Sequence, residues 1–148
     1  MKRILYIIAA AAVLFCAASC QKSADRMVAQ LAGEWHYAGE ENGVAEDIWV
    51  SFAEDGTFEM YQKIGEGPYW LTKGEFELDP ETKVLSGVYS DRYPWKYSYK
   101  VSISDKTLTM SAVELEGYTV IYGKERIPVE VRQKSLPLTK SEAVERYL

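Results

Sequence analysis

The feature that most constrains this chain is a two-residue alternation, repeated in short segments between about residues 34 and 127. It is clearest in "WKYSYKVSI". There Trp95, Tyr97, Tyr99, Val101 and Ile103 share one face, and Lys96, Ser98, Lys100 and Ser102 share the other. Successive side chains of a strand point to opposite faces, so the pattern describes a sheet with one apolar and one wet surface. Eight segments rich in Val, Ile, Thr, Tyr, Phe or Trp are expected as strands: 34–39, 47–53, 57–63, 69–78, 84–90, 95–103, 107–114 and 118–127. Asn42-Gly43 and Asp55-Gly56 are strong hairpin signals, because these residues tolerate positive φ. Asp79-Pro80, Ser104-Asp105-Lys106 and Glu116-Gly117 supply further turns, and 90–94 forms a slightly longer loop. Connections this tight make neighbouring strands antiparallel. Regular strands without an interrupting helix point to a barrel or sandwich, so the fold class is all-β.

The two ends of the chain read differently. In "SADRMVAQLAGEW", Ser23 is placed to cap a short helix with Met27, Val28 and Leu31 on one face and Gly33 at its end. Near the other end, Thr139 and Glu142 have capping-box spacing, which predicts a short helix over about 140–147 with Val144, Tyr147 and Leu148 as its apolar stripe. Before residue 20, Lys2 and Arg3 precede an uncharged run from Ile4 to Ala18, the pattern of a secretory leader. That run is shorter than the roughly 20 residues a membrane-spanning helix needs. A length of 148 residues fits one domain. The expected division is leader 1–19, anchor, tether and short helix 20–30, β-domain 31–133, and tail with short helix 134–148.

The only cysteines, Cys16 and Cys20, stand at the end of the leader. A disulfide there would staple nothing, metal ligands are not at hand, and an apolar leader does not activate a thiol. Ala17-Ala18-Ser19-Cys20 resembles the lipobox of bacterial lipoproteins, with Ala17 where that family prefers Leu. The resemblance implies cleavage before Cys20, lipidation of its sulfur and acylation of its new amino group, with Cys16 removed. Several acyl chains hold a membrane far better than one. Gln21 after the cysteine, rather than Asp, is similar to lipoproteins sorted to an outer membrane. The implied location is the envelope of a Gram-negative-type bacterium.

At Gly33-Glu34-Trp35, a short helix runs into G-x-W at the first strand, followed by a meander of about eight strands and a terminal helix. This arrangement resembles the lipocalin and calycin barrels, and more closely the small lipocalin-like lipoproteins of Gram-negative bacteria. The resemblance implies an antiparallel up-and-down eight-stranded β-barrel with short N- and C-terminal helices. It implies that Trp35 packs at the closed end, beneath a cation from Arg126 or Arg132, a contact of roughly 0.5–2 kcal/mol. A T-D-Y-like signature is absent from the middle of the chain. An eight-stranded barrel is just wide enough to be filled by side chains or to hold one small ligand. Trp70, Phe76, Tyr89, Tyr97, Tyr99 and Tyr122 are the candidate lining of such a ligand site, together with Val101, Ile103 and Met110. They serve equally as the packed core of a filled barrel.

Chemistry is sparse. The single histidine, His36, is expected to face outward beside Trp35 as solvated surface. No nucleophile elbow, zinc, P-loop or EF-hand pattern occurs. Glu40-Glu41 and Glu46-Asp47 read as a solvated rim, without the ligand spacing of a calcium loop. Tyr61, Trp70, Tyr93 and Trp95 are candidates for exposed aromatic platforms. The net charge of −5, more negative still without Lys2 and Arg3, leaves no basic cluster for nucleic acid. The expected protein is not an enzyme and takes no cofactor or metal. It is a membrane-anchored, lipocalin-like lipoprotein binding a small or extended ligand at the barrel mouth. The alternative is a structural or interaction lipoprotein with a filled barrel, accessory to an envelope complex. Its partners would be the membrane, through the lipid anchor, and an unknown small molecule or envelope protein.

Overall fold

A computed structural model describes residues 21–139 and 144–148. Cys20 and the leader lie outside the described residues. Helix α1 (21–31) leads into eight strands: β1 (Gly33–Glu41), β2 (Val44–Phe52), β3 (Thr57–Ile64), β4 (Trp70–Leu78), β5 (Val84–Tyr89), β6 (Tyr99–Ile103), β7 (Thr107–Ala112) and β8 (Thr119–Lys124). Each pairs antiparallel with the next, and β8 returns to β1 through Trp35↔Lys124 and His36↔Gly123, so the sheet closes on itself. The protein is an all-β, closed, antiparallel eight-stranded barrel, compatible with a calycin-type fold. Helix α2 (Val129–Lys134) and the two-residue strand β9 (Leu136–Pro137) follow β8.

The turns behave as their residues require. Asn42 and Gly43 both take positive φ, 52° and 80°, closing the β1–β2 hairpin. At Asp55-Gly56 only the glycine does, at 84°, while the Asp55 carboxylate accepts the Thr57 backbone N–H at 3.0 Å. The expected strand 95–103 begins at Tyr99. Pro94 lacks an N–H, and Trp95 lies flat over Gly87, where any Cβ would collide with the indole. The alternation survives this loss of strand geometry. Trp95, Tyr99 and Val101 are buried, while Lys96, Lys100 and Ser102 are exposed.

β5 stops opposite Gly74, leaving the first residues of β4 without that neighbour. β9 fills the vacancy in parallel, with Leu136 donating to the Tyr69 carbonyl and Leu138 to that of Leu71, each at 2.9 Å. An unpaired edge is thereby covered.

The expected C-terminal helix is placed differently. The short helix after the barrel is α2, whereas 144–148 is not helical, and 140–143 lies outside the described residues. The Tyr147 N–H is donated to the Gln62 side chain and so does not close a helical turn.

One apolar cluster fills the barrel, contributed by the inward positions of all eight strands, by Leu31 from α1 and by Leu148. Met27 and Val28 pack on it beside Leu31, so the expected helix face is the one that closes this end. A second cluster of Trp49, Tyr61, Ile127 and Val131 sits outside the sheet, where α2 and the segment before it cover β2 and β3.

Candidate functional site: the barrel mouth

The closed end centres on Trp35, which is fully buried. Its indole N–H donates to the Leu31 carbonyl at 2.8 Å and thereby satisfies one of the last carbonyls of α1. The cation beside it is neither of the expected arginines. Lys124 stands directly across the β1–β8 ladder, and its Nζ lies 5.1 Å from the Trp35 ring. The chain leaves the barrel after Lys124, so Arg126 is exposed and Arg132 ends on the outer wall. There Arg132 bonds Glu34 at 2.5 Å, Glu59 at 3.3 Å and the Tyr61 hydroxyl at 3.2 Å.

The opposite end is the mouth, and residues 144–148 occupy it. Gln62 points inward from β3 in the same register as Phe58 and Met60, and none of it is exposed. Its amide N–H donates to the Glu145 carbonyl at 2.7 Å, and its oxygen accepts the Tyr147 N–H at 3.0 Å. The Tyr89 hydroxyl donates to the Leu148 carbonyl at 2.6 Å. Leu148 is buried in the interior cluster. At the rim, Arg146 makes two hydrogen bonds to Asp91, at 3.0 and 2.5 Å, and lies 4.4 Å above the Tyr89 ring. Lys96 pairs with Glu145 at 2.8 Å.

Beside the tail, Tyr37 approaches Tyr147 with ring centroids 6.1 Å apart. Gly39 leaves room for the Tyr37 ring, since a Cβ there would strike the phenol. Glu46 stands at this rim in the inward register of Ile48 and Val50 and is half-buried. Burial, followed by the nearby Glu41 charge, holds its carboxyl above the usual range. Burial also drives the Tyr147 phenol upward, with the neighbouring Tyr122 second. Glu46 is therefore half-buried beside the tail rather than a freely solvated rim residue.

The candidate lining residues are packed against one another. Phe76, Tyr89, Tyr99 and Tyr122 are all buried in the interior cluster, and half-buried Tyr97 lies against it. Phe52 meets Phe76 edge-on at 5.2 Å, Phe58 meets Tyr89 at 5.9 Å, and Tyr99 meets both Trp95 at 6.2 Å and Tyr97 at 6.4 Å. Trp70 is half-buried where β4 meets β9 and belongs to neither apolar cluster. Burial raises the phenols of Tyr89, Tyr99 and Tyr122 well above their ordinary value. Of the expected surface aromatics only Tyr93 is well exposed; Tyr61 and Trp95 are buried and Trp70 is half-buried. A cleft of about 430 Å³ opens between the tail and the 91–96 loop, with Tyr89 and Leu148 in its wall.

His36 faces outward as expected but is not solvated. It stacks on Trp49 at 3.6 Å, with Nε2 2.8 Å from Asp47 and Nδ1 2.9 Å from Glu125. Tyr69 donates to the other Asp47 oxygen. Burial first, and this carboxylate second, push its phenol up to about 12. Among the described residues, no group of three or more His, Cys, Asp or Glu is placed to hold a metal ion.

Gln62, and the seating of the tail against it, are the features of the mouth that the sequence left unmarked. The one usable signal was a polar residue in the inward register of β3, where an unpaired amide would be costly and so requires a partner. Compared with known proteins, the chain matches no family model, no curated protein and no solved structure.

Proposed function

We propose that this chain is an N-terminally lipidated protein of the bacterial envelope whose filled barrel acts as an interaction module accessory to a larger complex. The observation that carries this reading is the state of the mouth: residues 144–148 seal it, above an interior packed ring against ring. A small-molecule carrier needs a concave site of about 300–1,000 Å³; inside the barrel the residues expected to line one fill the space instead, and the 430 Å³ cleft at the mouth is walled mainly by the tail and the 91–96 loop. An outer-membrane location, a partner protein and the lack of enzymatic activity belong to the same reading.

Lipidation is supported by the leader and by Ala17-Ala18-Ser19-Cys20. Residues 21–31, which follow the cysteine directly in sequence, are helical up to the barrel, where a polar tether was expected. An eleven-residue helix spans about 16 Å, so an anchor at Cys20 would hold the barrel close to the membrane surface.

Metabolic labelling with an alkynyl fatty acid tests the anchor. Wild type and Cys16→Ala should label, and Cys20→Ala should not; labelling that survives in Cys20→Ala but vanishes in Cys16→Ala overturns the assignment. Native mass spectrometry of the gently extracted protein tests the rest. A co-extracted protein in fixed ratio supports the interaction module, and a bound small molecule on most of the chains overturns it.

A further inference from the structure

The tail is held as a ligand is held. Every hydrogen bond described between 144–148 and the barrel runs through a barrel side chain: Gln62, Tyr89, Asp91 or Lys96. None of these is a rung of the β-ladder. Gln62 reads the peptide backbone in both directions from a fully buried position, which is indifferent to the side chains bound. Selection comes from the flanking groups. Asp91 grips a guanidinium through both oxygens while Tyr89 stacks beneath it, and the interior cluster seats an aliphatic side chain. The Tyr37 ring packs beside an aromatic side chain, with centroids 6.1 Å apart. Backbone hydrogen bonds for affinity and side-chain seats for specificity are the usual division of labour in peptide recognition.

We propose that the barrel mouth is a peptide-recognition site for an extended segment reading Arg-aromatic-aliphatic. Residues 144–148 fill it in cis, and a partner protein presents a similar segment in trans. The inference rests on the interaction-module reading and names the chemistry of its partner. The tail is covalently tethered, so its effective concentration at the mouth is high and a free peptide competes poorly until the tail is loosened. Arg146 is the residue to loosen. It lies at the rim, and its charge-assisted pair with Asp91 is the strong polar contact of the tail.

The test is a fluorescence-anisotropy titration of labelled Val-Glu-Arg-Tyr-Leu into the full chain. Arg146→Ala should bind the peptide about ten-fold or more tightly than wild type, because its own tail competes less. Replacing the peptide's arginine by alanine, or adding Asp91→Ala to the Arg146→Ala chain, should each remove about that gain. Equal binding by wild type and Arg146→Ala, binding indifferent to the peptide's arginine, or no binding at all overturns the proposal. So does an Arg146→Ala chain that is unfolded at the assay temperature, since the tail is then an obligatory part of the core. Wild-type dimers that dissociate on adding the peptide reassign the site to a second copy of this chain and overturn the assignment to a different protein. The titration reads the mouth and the labelling reads residue 20, so either can fail without the other.

Discussion

At Trp35 one side chain joins two elements, because its ring fills the closed end while its N–H holds the Leu31 carbonyl at the end of α1. Trp35→Ala should cost about 3–5 kcal/mol in a urea titration, the usual penalty for emptying a buried aromatic site. Lys124→Ala should cost about 1 kcal/mol or less, since its contact with the ring is exposed. Arg126→Ala should stay within about 0.5 kcal/mol, as surface changes do. A larger effect at Arg126 than at Lys124 would return the arginine to the closed end. Glu46 carries a pH signature of opposite sign to a salt-bridged acid. Its carboxyl is raised in the folded state by burial and by Glu41, so ionisation opposes folding above that raised value. The penalty disappears as pH falls below the ordinary carboxylate range, where the group is neutral in both states. Glu46→Gln should therefore raise the melting temperature at pH 7 by more than it does at pH 4. An equal or reversed effect would show that burial does not hold this carboxyl up.

At the scale of elements, α2 has six residues and could not persist alone in water. It persists because Val131 and Ile127 bury against Trp49 and Tyr61, and because Arg132 ties it to Glu34 on β1 and Glu59 on β3. Arg132→Ala should cost about 1–2 kcal/mol, more than an isolated surface pair because several acceptors lose one donor. Glu59 is held below the usual carboxylate range, first by its hydrogen bond from Lys73 and with Arg132 contributing. Its stabilisation is present above the ordinary range and is lost as pH falls through the lowered value. The wild-type advantage over Arg132→Ala should therefore shrink in strong acid; an advantage constant from pH 7 to pH 2 would assign the cost to packing. The elements legible in the sequence were those with a period. The eight strands stand close to their expected segments, and Met27, Val28 and Leu31 face the barrel together. α2 and β9 carry no such signal, and the helical stripe expected in the tail is not realised over 144–148. Each is too short for a period to develop, and each is held by partners remote in sequence, as Arg132 is by Glu34 across a separation of 98 positions.

For the whole molecule, the question left open by the alternation was whether the barrel is hollow or filled, because inward aromatics suit both. Two non-local facts decide it, and neither leaves a local trace in the sequence. Rings from different strands meet edge to face, and residues 144–148 enter the mouth beside Gln62, more than eighty positions earlier in the chain. A filled barrel answers truncation differently from a hollow one. A packed interior relaxes only partly around a deleted ring, so Tyr99→Ala should cost about 3–5 kcal/mol through the cavity it creates. Tyr97→Ala should cost less, because half-buried Tyr97 lies at the edge of the cluster. A hollow barrel already tolerates empty or hydrated volume, and there the same changes would alter ligand capture while leaving the fold almost untouched. Thermal melts of both variants, combined with uptake of an environment-sensitive apolar dye, separate the two. The expected result is no dye uptake by the wild type and a large fall in melting temperature for Tyr99→Ala. Wild-type uptake that drops in both variants at nearly unchanged melting temperature would restore the ligand-binding barrel, with Tyr97 and Tyr99 as its lining.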